Sequence, residues 1–156
     1  MISIDIPGRG RYDLKNLVLD MNGTIAVDGI IADEVLERIR VLSKILDIYL
    51  ITADTHGKLE SQKEKIAAKI SRIQPPGEAS QKADFIESIG ASNSVAIGNG
   101  ANDTEMLKKA RLAIAVIEGE GCALDALQSA DIVVKSSVDA LDLLIHTNRI
   151  VATLRK

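Results

Sequence analysis

The stretch LVLDMNGTIA, Leu17 to Ala26, decides how this chain folds. Leu17, Val18 and Leu19 read as a buried strand, and Asp20 stands where that strand gives way to an Asn22-Gly23 turn. An aspartate ahead of Asn-Gly is ordinary turn chemistry when it stands alone. Asp20 takes on a further meaning only from what the rest of the chain places beside it.

Outward from this stretch, short runs rich in Val, Ile and Leu alternate with longer segments of helical period, the pattern of βαβ units around a parallel sheet. Strands are expected at Leu17–Leu19, Ile48–Ile51, Arg72–Ile73, Val95–Ile97, Leu112–Val116 and Ile132–Val134. Crossover helices are expected in ADEVLERIRVLSKIL, GKLESQKEKIAAKI, GEASQKADFIESIG, DTEMLKKA and CALDALQSA, where apolar residues recur three and four apart. A last amphipathic segment, VDALDLLIHTNRIVATLRK, is expected to pack on the sheet or to serve a dimer contact, which leaves a homo-oligomer open. The first dozen residues, with Pro7 and two glycines, read as an edge strand or an arm.

The chain has 156 residues, 46% of them hydrophobic, which suits one domain spanning residues 1–156 with a sizeable core. A net charge of -3 with interspersed signs offers no basic stripe for nucleic acid and no cationic face for a membrane. The lone Cys122 permits no internal disulfide and no CxxC knuckle, in keeping with a reducing compartment. No signal peptide is evident, and no apolar run approaches the roughly 20 residues that cross a bilayer. The expectation is a cytoplasmic protein.

In an open parallel sheet, ligands sit outside the carboxyl ends of the strands. Those ends are polar here. Asp20, Asn22, Gly23 and Thr24 follow the first strand, Thr52, Ala53, Asp54 and Thr55 the second, and GNGAND, Gly98 to Asp103, the fourth. Lys82 opens the helix after the third. Carboxylates, a hydroxyl, a lysine and glycine-rich turns with free N–H groups make an inventory for phosphate and Mg²⁺.

These segments resemble the haloacid dehalogenase (HAD) superfamily, whose phosphotransferases carry an Asp nucleophile in a strand-end DxDGT or DxTGT motif. Asp20, Gly23 and Thr24 match it. LITADT and PPGEASQK resemble the corresponding segments of the phosphorylation domain of P-type ATPases, and IGNGANDTEMLKKARLAIAVIEGEGCALDALQSADIVV resembles their GDGxND stretch. The chain looks most similar to the small soluble P-type-ATPase-like proteins of archaea. The resemblance implies a Rossmann-like three-layer α/β sandwich with a mostly parallel sheet and no cap, because only one helix is expected between the first two strands.

The resemblance also implies roles. Asp20 would attack a phosphoryl group in line, with Mg²⁺ bridging its carboxylate and the phosphate. Thr52 would donate its hydroxyl, Lys82 would neutralise charge, and Gly23, Ala53 and Asn102 would complete the substrate side. Asp20, Asn22, Asn99 and Asp103 would make the metal side, with Asp103 alternatively anchoring Lys82. Thr24 would brace the turn. Two departures stand out. Asn22 replaces the aspartate that serves HAD phosphatases as general acid and base, and it keeps only a main-chain carbonyl for the metal. Asn99 replaces the first aspartate of GDGxND, which implies weaker metal binding. Slow turnover is therefore expected, and a phosphate-binding or regulatory module is the alternative. The substrate would be a phosphorylated species, with ATP and a phosphorylated macromolecule both open. Asp54 as a helix cap, His56 as a surface residue, Cys122 as a packed side chain and GEGCA as a simple turn are the plain readings of what remains.

Overall fold

The computed structural model describes residues 1–53, 59 and 61–156. A six-stranded, all-parallel sheet forms its middle layer. Its strands are β3 (Asn16–Asp20), β6 (Asp47–Thr52), β7 (Lys69–Arg72), β8 (Ser94–Gly98), β9 (Leu112–Val116) and β10 (Ile132–Val134), in spatial order β10-β9-β8-β3-β6-β7. β3 lies centrally between β8 and β6, so the residues that follow these three strands meet at one sheet end.

Strand side chains alternate between two unequal layers. Leu17 and Leu19, Val95 and Ile97, and Leu112, Ile114 and Val116 point to the larger core, while Val18, Ala96 and Ala113 point to the smaller one. The small residues let α2 (Glu78–Ile89) and α3 (Thr104–Lys109) lie close to the sheet, with α4 (Leu124–Gln128) beside them. The larger layer takes α1 (Asp33–Leu42), whose Val35, Leu36, Ile39 and Leu42 form one buried face, and α5 (Ser137–Ile145). Arg38 on α1 grips Asp142 on α5 at 2.7 Å. The α/β architecture expected of the sequence is the one observed.

Four local expectations are corrected. The first residues form a separate antiparallel hairpin, β1 (Ile2–Ile6) with β2 (Gly10–Leu14), rather than an edge strand of the main sheet or an arm. Its alternating Ile2, Ile4 and Ile6 are buried in the larger core, and Arg111 stacks on Tyr12 at 3.7 Å. The third parallel strand is Lys69–Arg72, not Arg72–Ile73. As the edge strand of the sheet it needs little apolar character, which hid it.

GKLESQKEKIAAKI is not a crossover helix over its described part. It holds a 3₁₀ turn at Lys63–Lys65, and Ile66 sits in extended backbone where it reaches the core. The last amphipathic segment breaks into α5 and α6 (Asn148–Leu154), and α6 turns back onto β1. The apolar residues of that segment are thus covered by the chain itself. One further element had no sequence signal: a small hairpin of β4 (Ala26–Val27) and β5 (Ile30–Ile31) just beyond the Asn22-Gly23 turn.

Candidate active site

Asp20 is the last residue of β3 and is buried at the carboxyl end of the sheet. Lys82 reaches it from α2, which starts after the left-handed Gly77 and buries Lys82, Ala83 and Ile86 on one face. The Lys82 Nζ donates to Asp20 Oδ1 at 2.6 Å and to Asp103 Oδ1 at 2.6 Å. Asp103 closes the turn after β8: its Oδ2 accepts from the backbone N–H groups of Asn99 and Gly100, both at 2.9 Å. A Cβ on Gly98 would stand 2.6 Å from the Asp103 carboxylate, so glycine there is what lets the carboxylate tuck under its own loop.

The Thr24 hydroxyl faces two acceptors, Asp20 Oδ2 at 3.1 Å and Asn99 Oδ1 at 3.0 Å. Gly23 adopts φ 75°, and a Cβ on it would fall 2.5 Å from Asn99 Nδ2. Its absent side chain therefore makes room for the Asn99 amide. Thr52, at the end of β6 next to β3, is buried. Asn99 is buried, Ala53 is half-buried, and Asn22 and Asn102 are exposed at the rim. Asp54, Thr55 and His56 lie outside the described residues.

Two carboxylates and one ammonium share this buried space, and their charges set one another. Burial pushes the Asp20 carboxyl up to about 6, with Asp103 adding to the rise and Lys82 and Thr24 opposing it. Burial also works against the Lys82 charge, yet Asp20 and Asp103 outweigh it and hold the ammonium above the ordinary lysine range. The lysine is therefore a fixed cation, while Asp20 is an ionisable carboxylate near neutrality. Cys122 is half-buried, and burial raises its thiol, which suits a packed side chain.

Among the described residues no cluster of three His, Cys, Asp or Glu gathers at one point, which excludes a carboxylate-rich cage from that part of the chain. Asp103 has both oxygens engaged by Lys82 and backbone N–H groups. The remaining oxygen donors are the Asp20 carboxylate, the Asn99 amide and the Asn22 main-chain carbonyl. That set fits Mg²⁺, a hard cation that keeps several waters and commonly takes only one or two carboxylates plus phosphate oxygens.

GEGCA, Gly119 to Ala123, is a simple turn by its sequence, yet with Ile117 and Glu118 it forms a wall of the site. Gly121 O accepts from Asn99 Nδ2 at 3.0 Å, and the Ala123 N–H donates to Asn99 O at 2.8 Å. The Asp28 N–H of the β4–β5 hairpin donates to Glu120 at 3.4 Å, while Glu118 accepts from the Ser137 N–H at 2.6 Å. None of this has a motif, because it depends on which loops meet over the sheet.

Comparison with known proteins agrees with this fold. Residues 77–139 match the haloacid dehalogenase-like hydrolase family. The uncharacterised protein MJ0073 of Methanocaldococcus jannaschii is 43% identical over 91 residues, which are 56% of this chain and 98% of that protein. A second uncharacterised protein of that organism, MJ0072, is 49% identical over 39 residues, 25% of this chain and 89% of that protein.

Among solved structures, the cobalt-bound deoxy-D-mannose-octulosonate 8-phosphate phosphatase of Haemophilus influenzae superposes with a TM-score of 0.72 at 11% identity, over 92% of this chain and 94% of that one. The 3-deoxy-D-manno-octulosonate 8-phosphate phosphatase of Moraxella catarrhalis, solved with magnesium, phosphate and the sugar acid, gives 0.70 at 16% identity, over 92% and 95%. Residues 77–139 are thus similar to the haloacid dehalogenase-like hydrolases, and the parallel sheet with Asp20 buried at its carboxyl end has the fold of the solved phosphatases on which it superposes.

Proposed function

We propose that this protein is a phosphohydrolase or phosphotransferase that forms an aspartyl-phosphate on Asp20. The observation that carries the reading is the buried Asp20–Lys82–Asp103 contact, with both carboxylates 2.6 Å from one ammonium at the carboxyl end of the sheet. A buried ion triad contributes little net stability compared with apolar packing, so its presence at this sheet end suits chemistry better than folding.

In the reaction, an Asp20 oxygen bonds to phosphorus as the bond to the leaving oxygen breaks. The leaving oxygen keeps the electron pair and takes a proton from solvent water, since Asn22 has no acid to offer. Water then attacks the phosphorus and gives up a proton to solvent, the bond to Asp20 breaks with its electron pair returning to the carboxylate, and phosphate departs. Lys82 holds the attacking carboxylate in place and balances the charge that accumulates on it. Thr24 orients the second Asp20 oxygen, and Thr52, buried at the end of the neighbouring strand, would donate to the phosphoryl group. Mg²⁺ would be held by Asp20, Asn99 and the Asn22 carbonyl, and when bound supplies charge neutralisation between carboxylate and phosphoryl oxygens. Without an acid and base at position 22 the aspartyl-phosphate hydrolyses slowly, the behaviour that the resemblance to P-type ATPase phosphorylation domains implies.

Incubation with Mg²⁺ and acetyl phosphate, an acid quench and intact-mass measurement test this directly. Wild type gains a phosphate and Asp20→Asn does not. A second reading, a phosphate-binding module with turnover removed, draws on the replacement of the acid-base residue by Asn22 at the rim. Absence of both adduct and phosphate release, with thermal stabilisation by inorganic phosphate, would select it.

A further inference from the structure

Residue 99 is pinned to the 117–123 loop twice: its carbonyl accepts from the Ala123 N–H at 2.8 Å, and its side-chain Nδ2 donates to Gly121 O at 3.0 Å. The second bond settles which way the amide faces. A backbone carbonyl can only accept, so the NH₂ group must point to Gly121 and the amide oxygen must point to Thr24. Thr24 in turn has one proton to offer to Asn99 Oδ1 and Asp20 Oδ2. The amide thus forms the middle of a chain running from Gly121 through Asn99 and Thr24 to Asp20.

A carboxylate at position 99 has no proton for Gly121 O. It would set an anionic oxygen against a carbonyl oxygen and would compete with Asp20 for the single Thr24 proton. It would also add a second uncompensated negative charge to a cluster in which Lys82 already faces two carboxylates.

We propose that Asn99 is a positioning residue whose amide ties the 117–123 loop to Thr24 and Asp20, a tie that a carboxylate at the same position breaks. Position 99 is then specialised for amide, whose oxygen meets the Thr24 hydroxyl with one lone pair and keeps the other for a metal. The same loop carries Glu120 to the β4–β5 hairpin and Glu118 to the start of α5, so the amide sets the wall of the cleft as well as the nucleophile. The effect on turnover rests on the proposed aspartyl-phosphate chemistry; the loop tie does not.

Hydrogen exchange on the substrate-free protein tests the tie. In Asn99→Asp and Asn99→Ala, the Ala123 amide and its loop neighbours should exchange about tenfold faster, the scale of one lost hydrogen bond, while β3 and β8 keep their protection. Gly23→Ala, which pushes a methyl group at the Asn99 amide from the other side, should raise the same amides and provides the reading if either Asn99 variant fails to fold. Unchanged loop exchange in all folded variants overturns the proposal.

If wild type turns over p-nitrophenyl phosphate, Asn99→Ala should lower kcat about tenfold with KM within about twofold, since Thr24 loses its second anchor while Lys82 and Thr52 stay. An unaltered kcat with a loosened loop also overturns it, because the loop would then be tied to Asn99 without Asp20 sensing it. If no turnover is found in wild type, the exchange result alone decides the tie, and only the enzymatic reading falls.

Discussion

The two Asn-Gly turns of this site have the same sequence and opposite surroundings. Asn22-Gly23 follows β3 with its asparagine exposed at the rim, whereas Asn99-Gly100 follows β8 with its asparagine buried and bonded on both sides. The difference teaches that one dipeptide does two jobs. At position 22 an exposed amide stands in for a chemical group; at position 99 the amide is part of the packing and hydrogen bonding. Substitutions toward aspartate should therefore be tolerated at the first and disruptive at the second.

The largest expected effect sharpens the buried side of that contrast. Lys82→Ala would leave two buried carboxylates without their cation, costing about 3–5 kcal/mol of stability by the measured scale for breaking buried pairs, and denaturant unfolding would show it. The next prediction concerns the exposed side. Asn22→Asp should speed decay of the proposed aspartyl-phosphate by about 10²-fold by supplying an acid and base, with little change in melting temperature. A measured decay rate equal to that of wild type would mean that position 22 is too far from the leaving oxygen to act.

The pH dependence is smaller and has a definite sign. The Asp20 carboxyl is raised from 3.8 to about 6 in the folded state, so folding disfavours its charge. Its contribution is neutral below about 3.8, turns increasingly unfavourable as pH rises toward 6, and is constant above that. Asp20→Asn should accordingly melt a few degrees higher than wild type near pH 8 and at nearly the same temperature near pH 4. If the proposed phosphoryl transfer takes place, its rate should fall as pH drops through about 6, where Asp20 protonates.

The smallest effect is chemical ageing. Peptide mapping after storage should find deamidation at the exposed Asn22 and none at the buried Asn99. Equal deamidation at both would break the comparison.

Much of the site is legible along the chain because strand ends are legible. Leu17–Leu19, Val95–Ile97 and Ile48–Ile51 are apolar runs, and whatever follows them in a parallel sheet must face the same way. That is enough to place Asp20, Thr52 and the Gly98–Asp103 turn at one sheet end, while Lys82 is legible only through the family resemblance of its segment. The Lys69–Arg72 strand was misplaced because an edge strand carries half-exposed polar residues, and the short β4–β5 hairpin has too few residues to show a period. The 117–123 loop stayed hidden for a different reason. Its bonds to Asn99, Asp28 and Ser137 join residues 22, 92 and 19 positions apart, and most of them use backbone atoms that every residue possesses.

By itself the sequence determined the alternation of strand and helix, the polar strand ends and the identity of the chemical groups, since periodicity and residue type are local properties. Only the tertiary structure decided how those groups are used. It paired Lys82 with both carboxylates, committed Asp103 to its own loop, left Asn22 at the rim and locked Asn99 between Thr24 and Gly121. Such assignments turn on distances of a few ångströms between segments far apart in the chain, and those distances are set by how the two cores pack against the sheet.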